Sequence, residues 1–436
     1  MLTPDIIGLI IFALCIVLFV WNKLPIAVTA LLGLAAMVIF GVVNFTDGFR
    51  NFGCTTVLLI ASMMVVGRAA FQTGLAQLIG MKVLNLARGN ERVVVILATT
   101  VTAVISAFIA NTAIMAIMIA LLAGVCIKNK NIHFMNLILP VAIGSVLGGA
   151  LTLVGSTPQL VAQGLIEEFL GVGNGFNFFS FIIPVGIILA VLIVYVACVG
   201  YPLGKRIWGN RPEYNQCPIG DEENTVPEKT DPKKLRIMGV IFVLTIVMFV
   251  SNDFIVQVIP YFNIGLASLI SALACILTGC ITFKESVKSI DWNIVLWFGA
   301  CLGLAVGLNQ SGGGELLATG FLSLFGTELS PIILYIIFIV LTVVMTVFIS
   351  NTTVLTIVLP VVFSITASLG YNTLSFATGL CIASSISIAT PIATVPMGMA
   401  LVAKYRFLDF VKYGGPLTIV AVIVLIIVVP LICPLL

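Results

Sequence analysis

The chain has 436 residues, of which 61% are hydrophobic and only 8% are charged, with a formal net charge of +3. Soluble domains carry about a quarter charged residues, so that class is excluded. A single histidine, His133, and ten cysteines without metal-ligand or CxxC spacing leave no material for a histidine metal site or a Ser-His-Asp triad, which argues against a membrane-embedded hydrolase.

Taken in chain order, unbroken apolar segments fall at 5–21, 25–43, 54–73, 178–202, 236–256, 262–282, 292–310 and 414–435. Each approaches the roughly 20 residues that a bilayer demands. Residues 1–21 lack the basic start and small-residue cleavage site of a signal peptide and read as the first span. Segments 93–127 and 330–370 carry a short polar tripeptide at their middle and read as re-entrant hairpins. Segments 134–166 and 373–403 are apolar but interrupted by Gly, Pro and Thr, and read as broken spans. The polar stretch 203–235 separates residues 1–202 from 236–436. The expected fold class is an all-α polytopic membrane protein.

The two halves are related. Ile109-Ala110-Asn111-Thr112 matches Ile349-Ser350-Asn351-Thr352 at an offset of 240, and Thr102, Ser106 and Phe108 match Thr342, Thr346 and Phe348. Gln72 and Gly74 match Gln310 and Gly312 at an offset of 238; Gly155-Ser156-Thr157-Pro158 matches Ala393-Thr394-Val395-Pro396 at the same offset. Three matches at nearly constant spacing make an internal repeat. If 93–127 and 330–370 are hairpins, each half crosses five times, and the second half is inverted relative to the first.

Charge supports that threading. Lys and Arg of short loops stay cytoplasmic, and a chain starting outside places 18 of its 20 Lys and Arg residues on one side; only Arg50 falls outside and only Arg68 lies within a span. Both termini are then extracellular or periplasmic, and 203–235 is cytoplasmic. No Asp or Glu falls inside the membrane, which disfavours a proton relay and favours an anionic ligand. Arg68, near the cytoplasmic end of its span, reads as a snorkelling cation or one held by a carbonyl. Gly144, Gly148 and Gly149 read as close-packing residues.

The polar material at mid-membrane is neutral. The tips Ala110-Asn111-Thr112 and Ser350-Asn351-Thr352, and the breaks at 155–158 and 393–396, each expose backbone that survives at this depth only if buried or lining a cavity. Half-helix N-termini present amide N–H groups to an anion, and carbonyls at helix ends can ligate a hard cation.

These paired tripeptides and Pro-containing breaks resemble the divalent anion/sodium symporter (DASS, INDY-like) family over nearly the whole chain. The resemblance implies a homodimer whose transport domain, both hairpins and both broken spans with the span after each, moves as an elevator, with connecting arms at 75–90 and 313–327. It implies substrate contacts from Asn111, Thr112, Ser156, Ser350, Asn351, Thr352 and Thr394. It also implies Na+ sites at Ser106, Asn111 and Gly155, and at Thr346, Asn351 and Ala393. The implied cargo is a C4-dicarboxylate such as succinate, malate or fumarate, carried with Na+ across the cell membrane, with no nucleic-acid partner. Ala110 departs from the family's Ser, and the breaks read Ser-Thr-Pro-Gln and Thr-Val-Pro-Met where Thr-Pro-Pro-Asn is usual. A Na+-independent exchanger, a citrate, sulfate or other oxyanion carrier, and an anion channel stay open at this point.

In a cysteine-free background, Gly220→Cys should be labelled only from the cytoplasm and Gly320→Cys only from outside. Impermeant labelling of intact cells that reached 220 but not 320 would overturn the threading.

Overall fold

Apolar runs fold as helices because in hydrocarbon every backbone group needs a partner within its own segment. The computed structural model describes residues 3–436 apart from 22, 76, 79–80, 82–88, 172, 216, 218–230, 326–329 and 393. Within them lie helices and turns and no strand. The first half comprises α1 (Pro4–Trp21), α2 (Ile26–Ile39), α3 (Thr55–Gln72), α4 (Glu91–Ser106), α5 (Asn111–Lys128), α6 (Phe134–Gly149), α7 (Thr157–Leu170), α8 (Ile182–Tyr195) and α9 (Tyr201–Trp208). The second comprises α10 (Pro232–Val250), α11 (Ile264–Leu277), α12 (Trp292–Gln310), α13 (Gly313–Phe325), α14 (Pro331–Phe348), α15 (Asn351–Leu369), α16 (Thr373–Ser385), α17 (Val395–Met399) and α18 (Phe407–Ile432). Eight helices among the described residues are long and apolar enough to cross a membrane. The protein is a polytopic all-α membrane protein.

Sequence punctuation sets the helix starts. Asn90, Asp231, Asn263, Asp291 and Asn372 each accept a backbone N–H at the head of α4, α10, α11, α12 and α16. Pro158 and Pro396 stand in the first turn of α7 and α17, where a missing N–H costs nothing. The four interruptions expected at mid-segment are present: a turn between α4 and α5, a shorter one between α14 and α15, and non-helical stretches before α7 and α17. Helix α9 carries the chain as far as Trp208, six residues beyond the boundary expected at 202. Most of the stretch 75–90, where the first connecting arm was expected, lies outside the described residues, as do 218–230 of the polar linker.

Packing follows two crossed patterns. Helix α3 lies against α11 of the other half, and α12 against α2. Helix α4 packs on α6 and α14 on α16, while α7 of the first half packs on α15 and α17 of the second on α5 and α6. Helix α13 lies along α15. Small residues allow the close approach, since apolar burial gives no drive between helices in lipid. A Cβ on Gly144 would stand 2.8 Å from Thr99 O, and one on Gly148 2.3 Å from Ala103 Cα.

Two ends of this assembly are pinned by charge. Glu91, at the head of α4, accepts from His133 N, His133 Nδ1 and Asn136 Nδ2 on one oxygen and from Tyr201 OH at 2.6 Å on the other. Asn136 in turn accepts from Trp208 Nε1 at 2.7 Å, so one buried carboxylate ties α4, α6 and α9. Arg211 makes a two-pronged pair, 2.7 Å on both arms, with buried Asp409 of α18. On another face Arg50 and Asn51 reach Glu168 of α7 at 2.8 and 3.1 Å.

Gly148→Ala should destabilise the α4–α6 pair by about 1–3 kcal/mol, the range for overpacking against backbone that cannot move aside. The melting temperature in detergent should fall, whereas Gly186→Ala, whose Cβ meets nothing within 4 Å, should leave it unchanged.

Candidate functional site

The first tip is built from the end of α4 and the head of α5. Ala110 occupies the N-cap of α5 with φ −48° and ψ 131° and offers no side-chain cap. Ser106, fully buried, places its Oγ 2.7 Å from Asn111 Oδ1 and 2.8 Å from Ser145 O, two acceptors for one proton. Ser145 Oγ donates to Asn111 O at 3.1 Å. Gly149 presses directly on the Asn111 amide; a Cβ there would lie 2.1 Å from Oδ1. Of the three glycines read as packing residues, Gly149 therefore serves the tip rather than the α4–α6 contact. Gly155 is crowded by carbonyls: its Cβ would stand 2.4 Å from Gly149 O, 2.8 Å from Ala107 O and 2.9 Å from Ser106 O. The Thr152 hydroxyl donates to Ala107 O.

The second tip has the same outline with different wiring. Ser350 caps α15 by accepting Thr353 N at 3.4 Å, and its Oγ lies 2.8 Å from Thr353 Oγ1. Asn351 is buried, and its Oδ1 accepts from Ser387 Oγ at 2.7 Å. Ser387 stands 238 residues after Gly149. Thr346, the counterpart of Ser106, donates instead to Val343 O of its own helix at 2.9 Å. The tip asparagine is thus held from the hairpin in one half and from the broken span in the other. Thr390 Oγ1 donates to Val347 O at 3.1 Å, matching the Thr152–Ala107 contact.

The breaks meet each other. Ser156 occupies the N-cap position of α7 in extended backbone without a side-chain cap, and its Oγ donates to Gln159 Oε1. Gln159, fully buried, donates through Nε2 to Ser385 Oγ at 3.3 Å, so one carboxamide bridges the end of α16 and the head of α7. Thr394 Oγ1 is buried and has no hydrogen-bond partner among the described residues.

All four interruptions open on one cavity of about 990 Å³. Asn111, Thr112, Ser156, Ser350, Asn351, Thr352 and Thr394 all line it, as does Gly155. Ser106 and Thr346 are buried behind the tips. Ala393 lies outside the described residues. The opposite wall comes from α3 and α12, through Ile60, Met63, Gly67, Arg68 and Trp297. Gln72, Glu285, Lys288 and Asp291 also line the cavity. The Thr282 hydroxyl and backbone hold the Glu285 carboxyl below the ordinary range, with Arg68 adding to the effect.

Sequence reasoning missed Ser145, Gly149, Thr152, Gln159, Ser387 and Thr390. The 238-residue offset that aligned the breaks also pairs Thr152 with Thr390 and would have found that pair.

Hydroxyls and amides around helix ends, with no carboxylate in the tips or breaks themselves, suit an anion beside hard cations. The family profile described as citrate transporter (CitMHS) matches residues 16–351. The chain belongs to the citrate transporter family. Its resemblance to the DASS family fits that membership within the ion transporter superfamily. The chain is 26% identical to a transporter of Haemophilus influenzae over 96% of its own length and 90% of that protein's. It is 22% identical to the sodium-dependent dicarboxylate transporter SdcS of Staphylococcus aureus, over 98% and 86%. Among solved structures, the fold is similar to the YdaH transporter of Alcanivorax borkumensis, at a TM-score of 0.63 and 14% identity, covering 91% of this chain and 88% of that one. It is also similar to MtrF of Neisseria gonorrhoeae, at 0.57 and 13%, covering 98% and 94%. Like the rest of its family this citrate-transporter relative is a carrier and not an enzyme.

Asn111→Ala and Asn351→Ala should each leave buried partners unpaired, at about 1–3 kcal/mol, and lower substrate affinity about 5- to 150-fold in a protein that still inserts. Binding of labelled substrate to the purified variants checks this; wild-type affinity in both would remove the tips from the site.

Proposed function

We propose that the chain is a secondary active transporter of small divalent carboxylate anions, C4-dicarboxylates such as succinate, malate and fumarate, coupled to Na+. One observation carries this reading: both hairpin tips and both breaks converge on a single cavity, to which they themselves bring hydroxyls, amides and helix N-termini and no carboxylate. Asn111, Thr112 and Ser156 would take one carboxylate, and Ser350, Asn351, Thr352 and Thr394 the other. The sodium dependence stated for SdcS supports the coupling. The family's description as citrate transporters favours a tricarboxylate as the second reading.

The chain's own oxygens support two cation sites. At the first tip, one Ser106 proton faces two acceptors, and three carbonyls crowd Gly155. Such a donor-poor cluster of oxygens is what a hard cation replaces donors in. Ser106, Asn111 and Gly155 would hold Na+ there, and Thr346, Asn351 and Ala393 at the second tip, with the Ser387 hydroxyl beside Asn351.

The rest of the architecture fits an elevator of inverted repeats. Helices α2 and α11, α3 and α12, and α6 and α16 begin 237 to 239 residues apart (26 and 264, 55 and 292, 134 and 373). The hairpins and broken spans pack on one another and on α8 and α18, while α1–α3 and α10–α12 pack together. The first group would slide, and the second would stay fixed as the core of a homodimer in the cell membrane. Each tip lines the same cavity as the breaks, which supports reading both hairpins as re-entrant although the arms α5, α14 and α15 are individually long enough to cross.

Proteoliposomes should accumulate labelled succinate under an inward Na+ gradient and not under K+ alone. Equal uptake in both would remove the coupling, and no uptake of any dianion would remove the reading. Ala110→Ser should restore a cap and a ligand oxygen at the first tip and tighten apparent Na+ affinity by about 1 kcal/mol, or about fivefold. Uptake against Na+ concentration tests it; a Hill slope above two in wild type, unchanged in the variant, would show that Ala110 loses nothing.

A further inference from the structure

Arg68 has no carbonyl partner among the described residues and stands in the cavity within the field of Glu285. It lies on α3, on the wall facing the tips, and it is exposed to the cavity it lines. Its guanidinium sits 5.3 Å from the ring centroid of Phe71, another cavity residue, a contact that orients the fork without occupying its N–H groups. Among the described residues no carboxylate lies within ion-pair distance and no hydrogen bond engages it. The preceding residue touches the hairpin: a Cβ on Gly67 would lie 4.0 Å from Ile109 Cγ2, one residue before the Ala110-Asn111-Thr112 tip. A guanidinium without an ion pair or hydrogen bond among the described residues thus lines the same cavity as the first tip.

A planar fork of five donors matches a carboxylate in two-pronged fashion, which the tips' hydroxyls and amides do not. The tips and breaks provide for two carboxylates, and nothing in them answers a third. We infer that Arg68 is a specificity-determining substrate contact, a third anion subsite carried by the opposite wall, which lets the carrier accept a tricarboxylate as well as a dicarboxylate. This rests on the carrier reading above. Lys288 is the natural comparison, because it is also an exposed cation lining the cavity, one helical turn after Glu285.

Because α3 belongs to the group packed with α11 and α12, the third contact is made when the tips stand opposite Arg68. A trianion would be held more tightly in that state than a dianion, and discrimination would reside in one wall residue rather than in the tips.

The test is uptake of labelled citrate and labelled succinate by proteoliposomes containing wild type, Arg68→Gln, Arg68→Lys or Lys288→Gln. Wild type should move both. Arg68→Gln should lower kcat/KM for citrate about 10- to 100-fold, the loss of a charge-assisted contact, and leave succinate within about twofold, which also shows that the variant folds. Arg68→Lys should retain part of citrate transport, since a point charge replaces the fork. Lys288→Gln should leave the citrate-to-succinate ratio unchanged. The inference is overturned if wild type moves succinate but not citrate, if Arg68→Gln lowers both substrates equally, or if Lys288→Gln shifts the ratio as far. A wild type that moves neither anion overturns the carrier reading itself and this subsite with it.

Discussion

A backbone N–H or C=O left unpaired in hydrocarbon costs several kcal/mol, and this chain interrupts its helices at four such places. The interruptions at 107–110, 349–350, 150–156 and 386–394 survive because they face one another across a cavity rather than lipid. Everything else in the structure serves that convergence. Each tip is bonded to its own half's break, through Thr152 and Ala107 in the first and Ser387 and Asn351 in the second, and the crossed packing of α7 on α15 and of α17 on α5 brings the two halves together. Gly144 and Gly148 let α6 approach α4 closely enough for Ser145 to reach Asn111.

The two halves solve the same local problem with different residues. Asn111 and Asn351 each need a donor on Oδ1. In the first half Ser106 gives it from the hairpin, and Gly149 leaves room. In the second Ser387 gives it from the broken span, while Thr346 turns back on its own helix. Similarly, the first tip leaves α5 uncapped and its N-terminal amides open to the cavity, whereas Ser350 caps α15. Two tips so wired present unequal surfaces to a ligand, and the sodium sites proposed there would differ in strength.

Much of this was legible in the sequence because apolar runs of bilayer length, paired tripeptides and proline breaks are local signals. The helices α1, α3 and α12 fall where hydropathy places them, whereas α18 starts seven residues before the expected 414, and the seven residues expected to contact substrate line the cavity. What escaped was set by contact across distance. Gln159 looks like an ordinary helix residue after a proline, yet its carboxamide bridges to Ser385, 226 positions away. Gly149 reads as one more packing glycine until Asn111 is laid against it. Arg68 sits in an apolar run where only the fold shows which side faces the cavity. The buried Glu91 cluster likewise draws on His133, Tyr201 and Trp208, whose spacing along the chain carries no pattern.

The central claim is that both tips hold one and the same anion. Its most direct measurement places a carboxylate at one tip at a time, as Thr112→Asp or Thr352→Asp, and follows equilibrium binding of a labelled C4-dicarboxylate to the purified protein. Like charges facing one ligand repel it, so either substitution alone should abolish binding while wild type binds one anion per chain. Retention of wild-type affinity in either variant would mean that the tips serve separate ligands, and the account would fail.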